Sequence, residues 1–314
     1  MRIVITDGYT LNPGDLTWED IAKFGQITHY DRSDDAQTVE RCRNAEIILT
    51  NKTPITRHVI AEATALKLIC VTATGYNIVD IDSARQRKIT VCNVPDYGTA
   101  SVAQHTFALI LELSNLAGSN STAVAAGRWV QSPDFCFSVG KLTELKGKTI
   151  GLVGFGKIGQ QVARLARAFE MNVVYFTRTK KETALASYTE LKTLFSICDI
   201  VSLHCPLTKD NNEFVDLELL SIMKPTAWLI NTSRGQLINE LHLNQALASG
   251  SLAYAAVDVL SKEPPVATNP LLTAPNCLIT PHTAWISREA RSRILSATAS
   301  NIAGFLAGAP VNVV

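Results

Sequence analysis

The stretch Thr149-Ile-Gly-Leu-Val-Gly-Phe-Gly-Lys-Ile-Gly-Gln160 constrains the fold more than any other. An apolar run, Ile150 to Val153, meets Gly154-x-Gly156-x-x-Gly159, and an amphipathic helical pattern follows from Lys157 to Phe169. A second apolar run, Asn172 to Phe176, comes next. Strand, glycine turn, helix and strand in that order are the context in which these glycines carry meaning. The first permits the tight turn, the second lets backbone approach a pyrophosphate, and the third lets helix and strand pack closely. The N–H groups and dipole at the helix start then favour an anion. The stretch therefore predicts a dinucleotide site built from Gly154, Gly156, Lys157, Ile158 and Gly159.

The 314 residues are enough for two domains, and 46% hydrophobic against 18% charged residues is the balance of a soluble globular chain. A net charge of +1 gives no reason to expect nucleic acid or an anionic membrane as partner. The seven cysteines form no C-x-x-C and scatter along apolar segments. They read as reduced thiols of a cytoplasmic protein, with no metal site. Met1 to Asp7 reads as a first strand and not a signal peptide, and Ser101 to Ala117 as a buried helix broken by Gln104, His105, Glu112 and Asn115.

Strand-like and helical runs alternate from the start. Strands are expected at Ile3–Thr6, Ile27–Tyr30, Glu46–Thr50, Leu66–Thr72 and Ile89–Val94. Helices are expected at 18–24 (capped by Thr17), 36–44, 56–63 (capped by Thr56) and 79–87. Apolar strands between helices imply a parallel sheet covered on both faces. Pro95-Asp-Tyr-Gly98 breaks the pattern and marks a hinge. After the helix 101–116, the polar and aromatic segment Asn120 to Lys141 fits either an arm over a second subunit or an intrachain packing arm. Six further strands, at 150–153, 173–176, 199–204, 227–232, 253–257 and 277–280, alternate with helices at 157–169, 188–197, 217–223 and 240–248. The last helix, 287–308, is expected to return to the first domain. The predicted class is α/β, with two doubly wound parallel-sheet domains. Residues 1–98 plus 287–314 form a discontinuous substrate domain, and 99–286 a dinucleotide-binding domain.

A NAD site usually has a carboxylate about 20 residues past the glycines, at the end of the second strand. Here Phe176-Thr-Arg-Thr-Lys-Lys181 offers a hydroxyl and cations instead. Arg178 can pair with a 2′-phosphate in a fork and Thr177 can donate to it, so NADP(H) is favoured over NAD(H). The alternative is a solvated basic loop, with NAD(H) held mainly by its pyrophosphate.

Three later stretches follow expected strands: Asn231-Thr-Ser-Arg-Gly235, Asp258-Val-Leu-Ser-Lys-Glu-Pro264 and Pro281-His-Thr-Ala-Trp285. Open α/β sheets bind ligands at such strand ends. With the glycine turn, these motifs resemble the D-isomer-specific 2-hydroxyacid dehydrogenase family in order and spacing over nearly the whole chain. Within it the chain is most similar to the glycerate dehydrogenase and hydroxypyruvate reductase group. The resemblance implies a Rossmann-type cofactor domain inserted in a flavodoxin-like substrate domain. It also implies hydride transfer between NAD(P)(H) and a small D-2-hydroxy or 2-keto acid, with glycerate/hydroxypyruvate or glyoxylate/glycolate preferred, and a homodimer.

The same resemblance implies the roles. His282 is the general acid–base, and Glu263 hydrogen-bonds its other ring nitrogen, stabilising imidazolium and raising the His pKa. Arg234 holds the carboxylate and polarises the carbonyl in a fork that Lys cannot copy. Backbone N–H groups near Thr74 and Gly75 face the substrate carboxylate, and Lys52, at a strand end, is a further substrate candidate. Asp258 and the backbone beside Thr232 and Ser233 match the nicotinamide contacts. Leu203-His-Cys-Pro-Leu-Thr208 matches the loop under the adenosine, which makes His204, Cys205, Pro206 and Thr208 cofactor candidates. Thr106, on the long helix, is another. As side chains, His29, His58, His105, His204 and His242 read as ordinary structural histidines; His105 lies beside Thr106, where indirect cofactor contact is open. Trp285 is a candidate wall of the site or partner contact. Taken singly, Arg234, Glu263 and His282 each have an ordinary structural reading, and their combination at three strand ends reverses it.

Formate dehydrogenases share this fold but need no proton relay, so the Glu263 and His282 pair argues against them. A phosphite dehydrogenase-like enzyme uses a similar Arg and His and stays open. A cofactor-sensing co-repressor-like scaffold also keeps the triad; the compact chain, without an extended tail, favours an enzyme.

Overall fold

The computed structural model describes residues 1–314. The chain divides into two compact units, Met1–Gly98 with Trp285–Val314, and Thr99–Ala284. Trp285 groups with the first unit because its ring meets Tyr97 edge-on, centroids 6.2 Å apart.

The first unit is a five-stranded sheet of β1 (Arg2–Ile5), β2 (Gln26–His29), β3 (Ile47–Thr50), β4 (Leu68–Val71) and β5 (Thr90–Cys92). Its order, β2-β1-β3-β4-β5, is parallel throughout, with the switch between β1 and β3. Alternation of side chains sorts the strands into two cores. Ile3, Ile5, Ile47, Leu49, Leu68 and Cys70 pack on one face; Val4, Ile48, Ile69 and Val71 pack on the other. Each such fully buried aliphatic side chain contributes roughly 1.5–3 kcal/mol. The helix Arg288–Leu306 closes the first face with Ile294, Leu295 and Ile302. Its Arg291 binds both oxygens of Asp15, at 2.7 Å each.

The second unit is a seven-stranded sheet of β6 (Thr149–Val153), β7 (Asn172–Phe176), β8 (Ser187–Tyr188), β9 (Ile200–Leu203), β10 (Trp228–Asn231), β11 (Tyr254–Val257) and β12 (Cys277–Ile279). The order β12-β11-β10-β9-β6-β7-β8 is again parallel and reverses between β9 and β6, the doubly wound arrangement. The helices Thr99–Asn115 and Lys157–Ala168 pack against each other on one face, burying Ala103, Phe107, Ile110, Val162, Ala163 and Ala166.

Several expectations need correction. The second sheet has seven strands, not six, because the two-residue β8 pairs with β7. With Tyr188 in that strand, the following helix starts later, at Leu191–Ile197. Thr17 does not cap the first helix: Glu19–Ala22 has Trp18 at its N-cap, with no side-chain cap bond. Asp34 and Asp80 cap the helices Asp35–Cys42 and Ile81–Gln86. The segment after the long helix opens with a helix of its own, Ala117–Ala125, which buries no residue. No helix is long and apolar enough to cross a membrane.

Candidate active site and cofactor turn

The glycine turn sits at the carboxyl end of β6, beside the reversal of strand order. Gly154 has φ +98°, and a Cβ there would stand 2.6 Å from the backbone of His204 and Cys205. Only glycine accommodates both the backbone angle and this approach. A Cβ on Gly159 would strike the Gly154 carbonyl, so helix and strand could not close up. A Cβ on Gly156 would meet nothing within 4 Å. Gly156 is also the N-cap of Lys157–Ala168 and brings no capping side chain. The turn thus presents an uncapped helix N-terminus facing open space, with Lys157 and Ile158 in the first turn.

The neighbouring strand ends complete this edge. Thr177 is half-buried and Arg178 exposed, directly after β7. Lys181 reaches back so that its Nζ donates to the Phe155 carbonyl at 3.1 Å, inside the glycine turn. Stacking of Phe155 on Tyr175, centroids 4.2 Å apart, fixes the same corner. Lys180 instead lies over the Tyr188 ring, at 5.8 Å. After β9, Nε2 of His204 pairs with Ser202 Oγ at 2.9 Å, while its buried Nδ1 has no partner. Burial pushes the His204 pKa down to about 4, and burial pushes the Cys205 thiol up to about 11. Thr208 caps a short turn with Asn211, which also donates to the Pro206 carbonyl at 2.9 Å. Thr106 is fully buried; its hydroxyl donates to Val102 O at 2.8 Å and lies 3.1 Å from Thr232 Oγ1.

Arg234, Glu263 and His282 follow three neighbouring strands, β10, β11 and β12. Asn231, itself buried, shapes the first loop: its amide donates to Arg234 O at 2.8 Å and its carbonyl accepts from Ser233 N at 3.0 Å. Ser233 Oγ ties the loop to Leu203 O at 2.7 Å. Arg234 itself is exposed. A Cβ on Gly235 would collide with the backbone of Leu260 and Ser261, so glycine lets the loops bearing Arg234 and Glu263 touch. Glu240 braces the second loop, accepting from Ser261 N and Oγ at 2.7 Å each. Glu263 is held at both oxygens. Oε1 accepts from Leu260 N at 3.0 Å, and Oε2 lies 2.5 Å from His282 Nδ1. That contact sets the imidazole plane and directs Nε2 away from the carboxylate.

His282 has φ +54°, a left-handed conformation that costs a non-glycine residue roughly 1–2 kcal/mol. Asp258 holds it there. Its carbonyl accepts from His282 N at 2.8 Å, and its carboxylate accepts from Thr283 N at 2.8 Å and Ala284 N at 2.9 Å. Burial would raise the Asp258 pKa, but bonds from His105, Thr280 and those two N–H groups outweigh it and hold the carboxyl below its ordinary value.

In the first unit, Lys52 is exposed on the loop after β3. Asp7 grips that loop, accepting from the N–H groups of Asn51, Lys52 and Thr53 at 2.8, 2.6 and 2.8 Å. Thr74 and Gly75 lie on the loop after β4, where Thr74 Oγ1 donates to Val94 O at 3.0 Å.

Residues 107–284 match the model of the D-isomer specific 2-hydroxyacid dehydrogenase, NAD binding domain. The chain is 42% identical over 320 aligned positions to the hydroxypyruvate reductase of Blautia hydrogenotrophica, covering 100% of this chain and 99% of that protein. The chain belongs to the D-isomer-specific 2-hydroxyacid dehydrogenase family. The glycerate dehydrogenase of Methylorubrum extorquens is 36% identical, covering 88% of each. Among solved structures, the NADPH-dependent glyoxylate/hydroxypyruvate reductase of Sinorhizobium meliloti superposes with a TM-score of 0.86 at 27% identity, covering 100% of this chain and 97% of that one.

As a 2-hydroxyacid dehydrogenase the chain is an NAD(P)-dependent oxidoreductase. The residues present fit that cofactor: the open space over Gly156 and the uncapped helix start suit a pyrophosphate. The bond from Lys181 to the turn and the bracing of the site by Glu240 and Asn231 are not legible in the sequence. A cation, an acid and an amide in loops carry no periodic signal, although Asn231 and Glu240 both lie within ten residues of Arg234.

Proposed function

We propose that this dehydrogenase reduces a small 2-keto acid to the D-2-hydroxy acid, with hydroxypyruvate/glycerate and glyoxylate/glycolate the preferred pairs. The observation that carries the reading is the 2.5 Å contact between His282 Nδ1 and Glu263 Oε2 at the strand ends of a dinucleotide fold. When bound, the reduced nicotinamide supplies a hydride to the keto carbon. Arg234 binds the substrate carboxylate and polarises the carbonyl, its fork matching two oxygens at once. Nε2 of His282 gives its proton to the carbonyl oxygen as charge develops there, and takes it back in the reverse direction. Glu263 keeps Nδ1 protonated and balances the imidazolium. Asp258, Thr232 and Ser233 are assigned to the nicotinamide side. Thr74 and Gly75 are assigned to substrate on the family resemblance, and Lys52 on its place in the loop after β3.

NADP(H) is the favoured cofactor. Thr177 and Arg178 stand where a NAD enzyme has a carboxylate, and Lys181 adds a cation on the glycine turn. The protein is assigned as a homodimer whose subunits meet through the arm 120–141, since Trp129, Val130 and Phe135 are 52%, 91% and 89% exposed. A cytoplasmic location fits seven cysteines without a disulfide among them.

Steady-state oxidation of NADPH and NADH with hydroxypyruvate, glyoxylate and pyruvate tests the reading. Turnover with hydroxypyruvate or glyoxylate, faster with NADPH, is the expected result. No keto acid driving oxidation above background would overturn it and favour a cofactor-sensing scaffold, whereas oxidation of phosphite would place the activity elsewhere.

A further inference from the structure

The helix Thr99–Asn115 is mostly apolar, yet it turns two polar side chains, Ser101 and His105, onto the loop that carries His282. They are one helical turn apart and so share a face. Ser101 Oγ donates to Ala284 O at 2.7 Å. His105 Nε2 lies 3.0 Å from Thr280 Oγ1 and 3.3 Å from Asp258 Oδ1. Thr280 Oγ1 in turn lies 2.6 Å from that same carboxylate oxygen.

The proton positions in this chain follow from counting donors. The Thr280 hydroxyl has one proton, and the short contact to a carboxylate claims it. Thr280 is then an acceptor toward His105, so the proton lies on His105 Nε2, shared between Thr280 Oγ1 and Asp258 Oδ1. His105 is therefore a donor to a buried carboxylate whose other bonds all run to the His282 loop. Asp258 accepts from Thr283 N, Thr283 Oγ1 and Ala284 N, and its own carbonyl accepts from His282 N. The left-handed turn at His282 needs that support, because an isolated chain would not keep it.

We propose that His105 is a positioning residue for the reaction, acting on His282 through Thr280 and Asp258. It touches no reacting atom. Its N–H fixes the Asp258 carboxylate, and the fixed carboxylate keeps the imidazole of His282 aimed. The inference rests on His282 being the proton donor, and the test separates the two.

Four variants, His105→Leu, His105→Gln, His282→Ala and the double variant His105→Leu/His282→Ala, are compared by kcat and KM with hydroxypyruvate. NADPH Kd is measured by fluorescence titration and melting temperature by calorimetry. His105→Leu is expected to lower kcat roughly 10–100-fold, the scale of a small misplacement of a reacting group, with NADPH Kd within about twofold of wild type. His105→Gln, which keeps an N–H donor, recovers most of the loss. In the His282→Ala background His105→Leu costs nothing further, because the two act through one group. Wild-type kcat in His105→Leu overturns the inference, as does a loss that simply multiplies with that of His282→Ala. Wild-type turnover in His282→Ala instead overturns the proton-donor reading itself. If His105→Leu fails to fold, Thr280→Val breaks the same chain from its other side and carries the same expectations.

Discussion

Arg234 is the residue at which charge and shape separate most cleanly. Its loop is fixed mainly by Asn231 and by the close approach of Gly235 to Leu260, while the Arg234 side chain adds one bond of its own, Nη1 to Ser233 O at 2.7 Å. Arg234→Lys keeps the charge but loses the planar fork. It is expected to lower kcat/KM for the keto acid by roughly 10²–10³-fold while leaving NADPH affinity unchanged, read by steady-state kinetics beside a fluorescence titration. At His204 the prediction concerns stability. Burial holds its pKa at about 4, against an ordinary value of about 6.5. The unfolded chain then binds the proton at higher pH than the folded one, so stability rises with pH across that window and falls as pH drops from about 6.5 toward 4. The full difference is worth up to about 3 kcal/mol. His204→Gln, which can still reach Ser202, should flatten the dependence of melting temperature on pH in that interval; an unchanged slope would contradict the assignment.

At the scale of the element, strand ends do the chemical placing. The loop after β7 carries three cations, and they do different things: Lys181 is bonded to the glycine turn, Lys180 lies over Tyr188, and Arg178 is exposed beside Thr177. Arg178→Ala is expected to weaken NADPH roughly 10–100-fold, the worth of a charge-assisted bond, and NADH little. Equal losses for both cofactors, measured as Kd, would remove the phosphate contact. The glycine turn and the strand alternation were legible in the sequence because each reports a backbone requirement or a period, whereas the three strand-end motifs were legible only through their resemblance to a family. Strand β8 was not, since two residues show no period. Nor was the helix Ala117–Ala125, which buries nothing and therefore has no apolar stripe to read. The support that His105 gives to Asp258 was hidden for another reason. A lone histidine on an apolar helix reads as core, and its partners are 175 and 153 positions away in the chain.

At the scale of the whole molecule, the exposed run from Trp129 to Phe135 sets a prediction about assembly. Val130 and Phe135 are almost fully exposed in one chain, and the helix before them buries nothing. Sedimentation equilibrium should find a dimer for the wild-type protein and a monomer for Val130→Asp/Phe135→Asp; a wild-type monomer would contradict the homodimer. The family supplies the reaction class; the claim that His282, oriented by Glu263, moves the proton is our proposal, resting on the 2.5 Å contact between them. NADPH oxidation driven by hydroxypyruvate, followed for wild type and His282→Ala side by side, tests that claim most directly. The expected loss in His282→Ala is roughly 10²–10⁴-fold in kcat with NADPH affinity retained; turnover at the wild-type rate would contradict the role given to His282.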